Sequence, residues 1–419
     1  MAGVHMETNL CKKYCNQSRL EKLFGKACVN MNVRDSAEQL KEQIVSWRRA
    51  VHAYPEITWT ETKTGNMVAA ELEKMGMEVT RIADTGVVGL LKGEKEGKTV
   101  ALRADMDALA ITEATDVPYK SKQKGTMHAC GHDGHVAMLL GAAKILSQMK
   151  HEISGTVKFV FQPAEEIGLG ALKMLEAGVM EGVDAILGIH LWPDLPSGKV
   201  SLVPGPRMAS ADKLKITVRG KTGHGSMPHQ GIDAILAAAA IIMNLQSISS
   251  REIAPLEPAV ITIGKLAGGT SWNITCDEVT LEGTTRCFSH EVRKEIPQAI
   301  ERIIKNTSAS FRAQANMEYI PIAPPLINDT LIATIAAASL QKLYGDNTTG
   351  VIEKVMGGED FAFLCEKTPG AMAFIGIGNK EKKTDYPLHN EKFNIDEDVL
   401  PIGAALHAQF ALDFLNRSK

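Results

Sequence analysis

The sequence predicts an α/β fold with a mostly parallel-sheet catalytic domain, interrupted by an inserted ferredoxin-like α+β domain. Two observations carry this. Short, continuous apolar runs such as Thr99-Val100-Ala101-Leu102, Val157 to Phe161, Ala185 to Ile189 and Ala371 to Ile377 alternate with helical patterns, as expected of strands covered on both faces. Between about Ala209 and Ala315 the pattern changes to β-α-β-β-α-β, the order of a ferredoxin-like sandwich.

The chain has 419 residues, 44% hydrophobic and 23% charged, enough for two or more domains. Residues 1–35 read as a polar extension without the apolar core of a signal peptide. Its Cys11, Cys15 and Cys28 have no matching His or Cys cluster beside them. Leu40, Ile44 and Trp47 at helical spacing open the first catalytic segment, 36–208. A helix follows over 62–75 and ends at Gly76. After the Thr99–Leu102 strand come a helix over 136–149, the Val157–Phe161 strand, a helix over 170–177 and the Ala185–Ile189 strand.

The inserted domain, 209–315, begins with a strand over 213–218. An Ala-rich apolar helix over 233–245, paired strands over 259–266 and 278–288, an amphipathic helix over 290–311 and a last strand near 317–320 follow. The proline-rich stretches 202–206 and 321–325 read as hinges. The second catalytic segment, 316–419, holds the Ala371–Ile377 strand and a closing helix over 402–415.

The net charge of −3 gives no electrostatic reason to expect nucleic acid or a membrane surface as partner. No apolar run approaches the roughly 20 residues that span a bilayer. Seven cysteines, an odd number in a long chain, argue against a disulfide scaffold. The expectation is a soluble, cytoplasmic protein.

Met127-His128-Ala129-Cys130-Gly131-His132-Asp133-Gly134-His135 packs three His, a Cys and an Asp ahead of a helix. Cys130 and His132 alternate and could face one centre. Thiolate and imidazole suit a borderline ion such as Zn²⁺, and related sites take Mn²⁺, Co²⁺ or Ni²⁺. Glu165-Glu166 follows the Val157–Phe161 strand, His190 the Ala185–Ile189 strand, and Asp105 and Asp107 the Thr99–Leu102 strand. His389 lies in a turn beyond the Ala371–Ile377 strand. Ligands of parallel α/β sheets bind beyond the carboxyl ends of strands, so several separate segments send polar residues to one edge. Each alone is a weak signal; their joint placement is not. An extended segment points successive side chains oppositely, so the two glutamates are expected to divide their work, one holding an ion and one moving protons.

Arg103-Ala104-Asp105-Met106-Asp107-Ala108-Leu109, His128 to His135, Gln162-Pro163-Ala164-Glu165-Glu166, Gly188-Ile189-His190, Gly223-His224-Gly225-Ser226-Met227-Pro228-His229 and Gly358-Glu359-Asp360-Phe361 resemble the metal-dependent amidohydrolase family. That family includes aminoacylases, hippurate hydrolases and plant auxin–amino acid conjugate hydrolases. The likeness runs from about Leu40 to the C-terminus. It implies hydrolysis of the amide bond of N-acyl amino acids, with a dipeptidase or carboxypeptidase as the alternative. It also implies two divalent ions per subunit, Zn²⁺ or Mn²⁺ first and Co²⁺ or Ni²⁺ as further candidates, and an inserted lid domain that forms a homodimer.

Carried over position by position, Cys130, His132, Glu166, His190 and His389 resemble the metal ligands, with Cys130 able to bridge. Glu165 resembles the general base and acid, and Asp105 a carboxylate that orients a ligand. His224 resembles the residue that reaches the substrate carbonyl or carboxylate, with His229 as a second. Asn273 and Arg286 resemble residues that hold the substrate carboxylate, and Gly358 could offer a backbone N–H. Ala110 and Cys276 stand where the family commonly has proline; the second lies near the expected carboxylate site.

Overall fold

The computed structural model describes residues 32–417. Cys11, Cys15 and Cys28 of the expected extension lie outside them, while its last residues open the helix Val33–Gln39, whose Val33 is buried in the core. The chain divides into two compact units: Met1–Gly205 with Asn328–Glu353 and Phe363–Lys419, and Pro206–Ile327 with Lys354–Ala362.

In the first unit, seven strands form one sheet in the order Glu78–Ile82, Gly86–Lys92, Ser154–Gln162, Lys95–Asp105, Ala185–Pro196, Gly370–Gly378, Val200–Ser201. The three central pairings are parallel and the outer three antiparallel. The sheet is therefore mixed, where the sequence suggested mostly parallel. The antiparallel edge arises because only Ala83, Asp84 and Thr85 separate Ile82 from Gly86. That is far too short for a parallel crossover, and Ala83 and Asp84 take positive φ to make the turn. The Glu78–Ile82 strand is largely exposed, so it carries no apolar run for sequence reading to find.

Helices cover the sheet. His132–Gln148 is buried over nearly its whole length, as is Leu400–Leu415. Lys41–Ala53 packs beside them at Gly141: a Cβ there would stand 2.8 Å from Ala404 Cβ and 2.9 Å from Ile44 Cδ1. Glycine is what lets three helices meet at that point. Thr330–Tyr344 is a further helix, with Asp329 accepting from the N–H groups of Leu331 and Ile332 as N-cap. It was absent from the sequence reading, although Asp329 ahead of an apolar run is an ordinary start signal.

In the second unit, four antiparallel strands run in the order Ala259–Gly268, Glu278–Cys287, Ala211–Arg219, Gln314–Ala323. The last strand extends through Pro321, Ile322 and Ala323, part of the stretch expected to be a hinge. Helices Ala234–Ser247 and His290–Ser310 share an apolar core with the sheet, including Leu214, Ile216, Ile241, Leu281 and Ile300. Ala234–Glu252 is long and apolar enough to cross a membrane by length and composition, contrary to the sequence reading. Its Ala234, Ala237, Ala238, Ile241 and Leu245 are instead buried against this core.

Candidate active site

The Lys95–Asp105 strand passes from exposed to fully buried and ends in a charged pair. Arg103 and Asp105, two apart, project to one face, and Arg103 Nη1 donates to Asp105 Oδ2 at 2.6 Å. Gly131 takes φ 92° and starts the helix at His132. His132 and His135, one turn apart, then share a face. His190 lies inside its strand rather than after it, because Ala185–Pro196 runs well past the apolar stretch. His389 has φ 63°, and its N–H donates to the carbonyl of Ala129 at 2.8 Å, tying its turn to the Cys130 segment.

The glutamate pair departs most from expectation. Ala164 adopts φ 56°, ψ 37°, and Glu165–Ile167 is a single 3₁₀ turn. The pair is not extended, and its carboxylates converge: ligand-type atoms of His132, Glu165 and Glu166 lie within 4.8 Å of one another.

Cys130, His132 and His190 meet the same distance limit, and so do Cys130, Glu166 and His389. Cys130 belongs to both. Its Sγ is 3.7 Å from His190 Nε2. Glu166 lies 3.9 Å from His132 Nε2 and 3.4 Å from His389 Nε2. Atoms bound tetrahedrally at ordinary Zn–N and Zn–S lengths stand about 3.4–3.8 Å apart, so the Cys130–His190 and Glu166–His389 separations suit shared ions.

Hydrogen bonds fix which ring nitrogens are available. His132 Nδ1 donates to the backbone carbonyl of Asp107 and His190 Nδ1 to that of Leu191, each at 2.8 Å. In the neutral ring each Nε2 then carries the lone pair that a metal ion can take. His132 Nε2 and Glu166 Oε1 are both buried without a hydrogen-bond partner, a costly state unless a cation satisfies them. Asp105 Oδ1 bonds His135 Nδ1 at 2.6 Å, and Asp105 Oδ2 lies 3.7 Å from His132 Nε2. His135 Nε2 in turn accepts the N–H of Leu191 at 2.9 Å. Asp105 thus reaches His132 on its Nε2 side and His135 on its Nδ1 side, and the three meet the same distance limit.

The protonation energetics carry the same message. Burial, reinforced by Glu166, pushes the Cys130 thiol well above its ordinary value. Burial, with His132 opposing and Asp107 and Asp105 adding to it, raises Glu166 to about 7. Burial and the neighbouring His135 hold His190 well below the ordinary histidine value. Burial disfavours the His132 imidazolium, but Asp105 and Cys130 outweigh it and raise that pKa. A bound dication reverses this balance for thiol and carboxylate. The donor set fits a divalent metal.

Asp107 and His135 had no role assigned from the sequence, although both sit one structural period from Asp105 and His132. Glu61 left no signal. Beneath the helix start, Asp133 receives Arg48 Nε at 2.7 Å and faces His52 Nδ1 at 2.8 Å, anchoring the turn that begins with His132.

The remaining expected site residues belong to the second unit. His224 pairs with Ile274 across a short ladder, which sets Asn273 on the adjoining segment. Asn273 O accepts the N–H of Gly225 at 2.8 Å. His224 Nδ1 accepts from Ser226 N–H at 3.1 Å, so its ring proton sits on Nε2 as a donor. His224, His229 and Asn273 are exposed. Arg286, half-buried, lies against Gly358, where a Cβ would stand 3.3 Å from its Nη1. Cys276 is buried, with Sγ 3.0 Å from the carbonyl of Glu278.

Peptidase family M20/M25/M40 matches residues 101–413. The chain belongs to this peptidase family. It is 40% identical over 379 residues to the N-acetylcysteine deacetylase of Bacillus subtilis, covering 90% of this chain and 98% of the relative. It is 42% identical over 390 residues to thermostable carboxypeptidase 1 of Saccharolobus solfataricus, covering 92% and 98%. Among solved structures, a dinuclear metal binding M20 peptidase from Bacillus subtilis superimposes with a TM-score of 0.81 at 37% identity, covering 91% of this chain and all of that one. This M20 family member is thus a hydrolase with candidate metal-ligand groups where its sheet edge gathers His, Cys and carboxylates.

Proposed function

We propose that the protein hydrolyses the amide bond of N-acyl amino acids, releasing a carboxylic acid and a free amino acid. The observation that carries this is the pair of overlapping ligand groups sharing Cys130, with Glu165 beside them. The similarity to an N-acetylcysteine deacetylase supports the substrate class.

Cys130, His132, Glu166, His190 and His389 would hold two divalent ions, Zn²⁺ or Mn²⁺ first, with the Cys130 thiolate shared. When bound, such ions lower the pKa of water from about 15.7 towards 7 and stabilise a developing oxyanion. Glu165 accepts the proton of the attacking water and returns it to the leaving nitrogen. The carbonyls of Asp107 and Leu191 orient the His132 and His190 rings, and Asp105 would support His132 from beside it through its bond to His135. His224 donates a hydrogen bond from its Nε2–H to the oxyanion. Arg286 grips the substrate carboxylate with its planar fork, helped by Asn273, His229 and the Gly358 N–H. In this reading the second unit is the lid. It forms the homodimer through the exposed Ile235, Leu236 and Met243 of its apolar helix, and a monomer in sedimentation would refute that. A reducing, cytoplasmic setting suits a free Cys130 thiol.

The test is Glu165→Gln, assayed on N-acetyl and N-benzoyl amino acids. Turnover should fall about 10²–10⁴-fold with metal content intact; retained turnover would sink the assignment. The resemblance to a carboxypeptidase favours one alternative, release of an amino acid from a peptide. Faster turnover of dipeptides with a free amine than of N-acyl amino acids would select it.

A further inference from the structure

Three consecutive backbone N–H groups at the site are held by two carboxylates that the proposed chemistry does not use. Ala164 N–H donates to Glu61 Oε1 at 3.0 Å. Glu165 N–H donates to Asp107 Oδ1 at 3.0 Å and Glu166 N–H to Asp107 Oδ2 at 3.1 Å. Glu61 and Asp107 are both buried.

Each acceptor is itself anchored. Glu61 Oε1 also accepts Trp59 N–H at 3.1 Å, and its Oε2 accepts the Thr85 hydroxyl at 2.7 Å. Asp107 Oδ2 accepts the Thr58 hydroxyl at 3.0 Å. The two anchoring segments are joined to each other: Ala108 N–H donates to the carbonyl of Glu56 at 2.8 Å, beside an Ile57–Ala108 bridge.

The turn needs such support. Ala164 occupies the left-handed region, which is costly for a residue with a Cβ. Unless accepted, these N–H groups would be left unpaired in a buried place. Had the strand continued extended, Glu165 and Glu166 would point to opposite faces. The 3₁₀ turn brings both carboxylates to His132 instead. Asp107 acts on that histidine too, through its backbone carbonyl on Nδ1.

We propose that Asp107 and Glu61 are positioning residues that hold the Glu165–Glu166 turn in its converging geometry, with Asp107 joining that turn to His132. The inference rests on the proposed roles of Glu165 and Glu166, and it predicts an asymmetry. Both Asp107 oxygens accept backbone N–H groups, so an amide at this position sets a donor against a donor whichever way it is flipped. Glu61 offers backbone N–H groups only to Oε1. A Gln there can turn its NH₂ to Thr85, whose hydroxyl can accept.

The experiment compares Asp107→Asn and Glu61→Gln with the wild type by calorimetric Co²⁺ titration, the visible spectrum of the Co²⁺-loaded protein, and kcat and KM on an N-acetyl amino acid across pH. Asp107→Asn is expected to weaken Co²⁺ binding about 10–100-fold, alter the spectrum and lower kcat with KM nearly unchanged. Glu61→Gln is expected to change these by no more than about 3-fold, because its hydrogen bonds can be re-made. Wild-type Co²⁺ affinity and spectrum in Asp107→Asn, or a larger effect from Glu61→Gln, overturns the proposal. If Asp107→Asn does not fold, Thr58→Val frees one side of Asp107. A shifted Co²⁺ spectrum then supports the proposal and a wild-type spectrum overturns it. Glu165→Gln in parallel keeps the two readings apart. Its retained activity would remove the base assignment, while the Co²⁺ titration still reads the hold on Glu166 and His132.

Discussion

The two units of this enzyme present their candidate groups in opposite ways. In the first, Cys130, His132 and His190 are buried, their tautomers set by main-chain carbonyls and their carboxylate neighbours tied to backbone N–H groups. In the second, His224, His229 and Asn273 stand exposed on turns, and Arg286 is half-buried on a strand. The difference teaches what each set is built for. Buried donors fixed by hydrogen bonds to the main chain are held ready for a cation, and their rigidity is part of their affinity. Exposed polar groups on turns stay solvated until a substrate arrives, which suits recognition.

The largest way to break this comparison is Cys130→Ala. Because Cys130 belongs to two ligand groups, its loss is expected to remove metal and to lower activity by roughly 10³-fold or more. Metal analysis checks this: full metal content after the exchange would mean Cys130 is not shared.

Arg286→Ala probes the other unit. Its expected effect is a KM raised about 10–100-fold, the cost of losing a charged hydrogen-bonded partner. Metal content and affinity should stay at wild-type levels. A drop in metal content would erase the division of labour between the two units.

A smaller effect follows from the protonation states. In the metal-free protein Cys130 is held protonated by its raised pKa, and Glu166 titrates at about 7. Metal binding requires both deprotonated, so it must release protons, and affinity must rise as pH rises through 7. The expected slope is about tenfold per pH unit for each proton released. Calorimetry in buffers of different ionisation enthalpy measures that count. A pH-independent affinity would remove Cys130 and Glu166 from the ligand set. Arg286→Ala leaves both groups in place and should show the same dependence.

Sequence patterning disclosed much of the first unit and less of its edges. The run Ala371 to Ile377 is buried on both faces, so its apolarity is continuous and visible, and Val157 to Phe161 is broken only by the half-buried Lys158. Glu78–Ile82 is exposed and left no such trace. The sequence puts His190 after its strand because its polar side chain interrupts the apolar run, which resumes at the buried Leu191 and Trp192 while the hydrogen-bonded ladder continues throughout. Glu61 was invisible for a plainer reason. It is far along the chain from Ala164, and nothing local distinguishes it from any other glutamate.

By itself the sequence determined the residue types able to bind metal, their order along the chain, and membership of a family whose motifs recur from Arg103 to Asp360. These follow from side-chain chemistry and local periodicity, which a linear string carries. Only the tertiary structure decided that Glu165 and Glu166 converge rather than diverge. Ala164 turns into the left-handed region, and the carboxylates of Glu61 and Asp107 receive the N–H groups that the turn exposes. Long-range hydrogen bonds that pay for a strained backbone are not written in any local pattern.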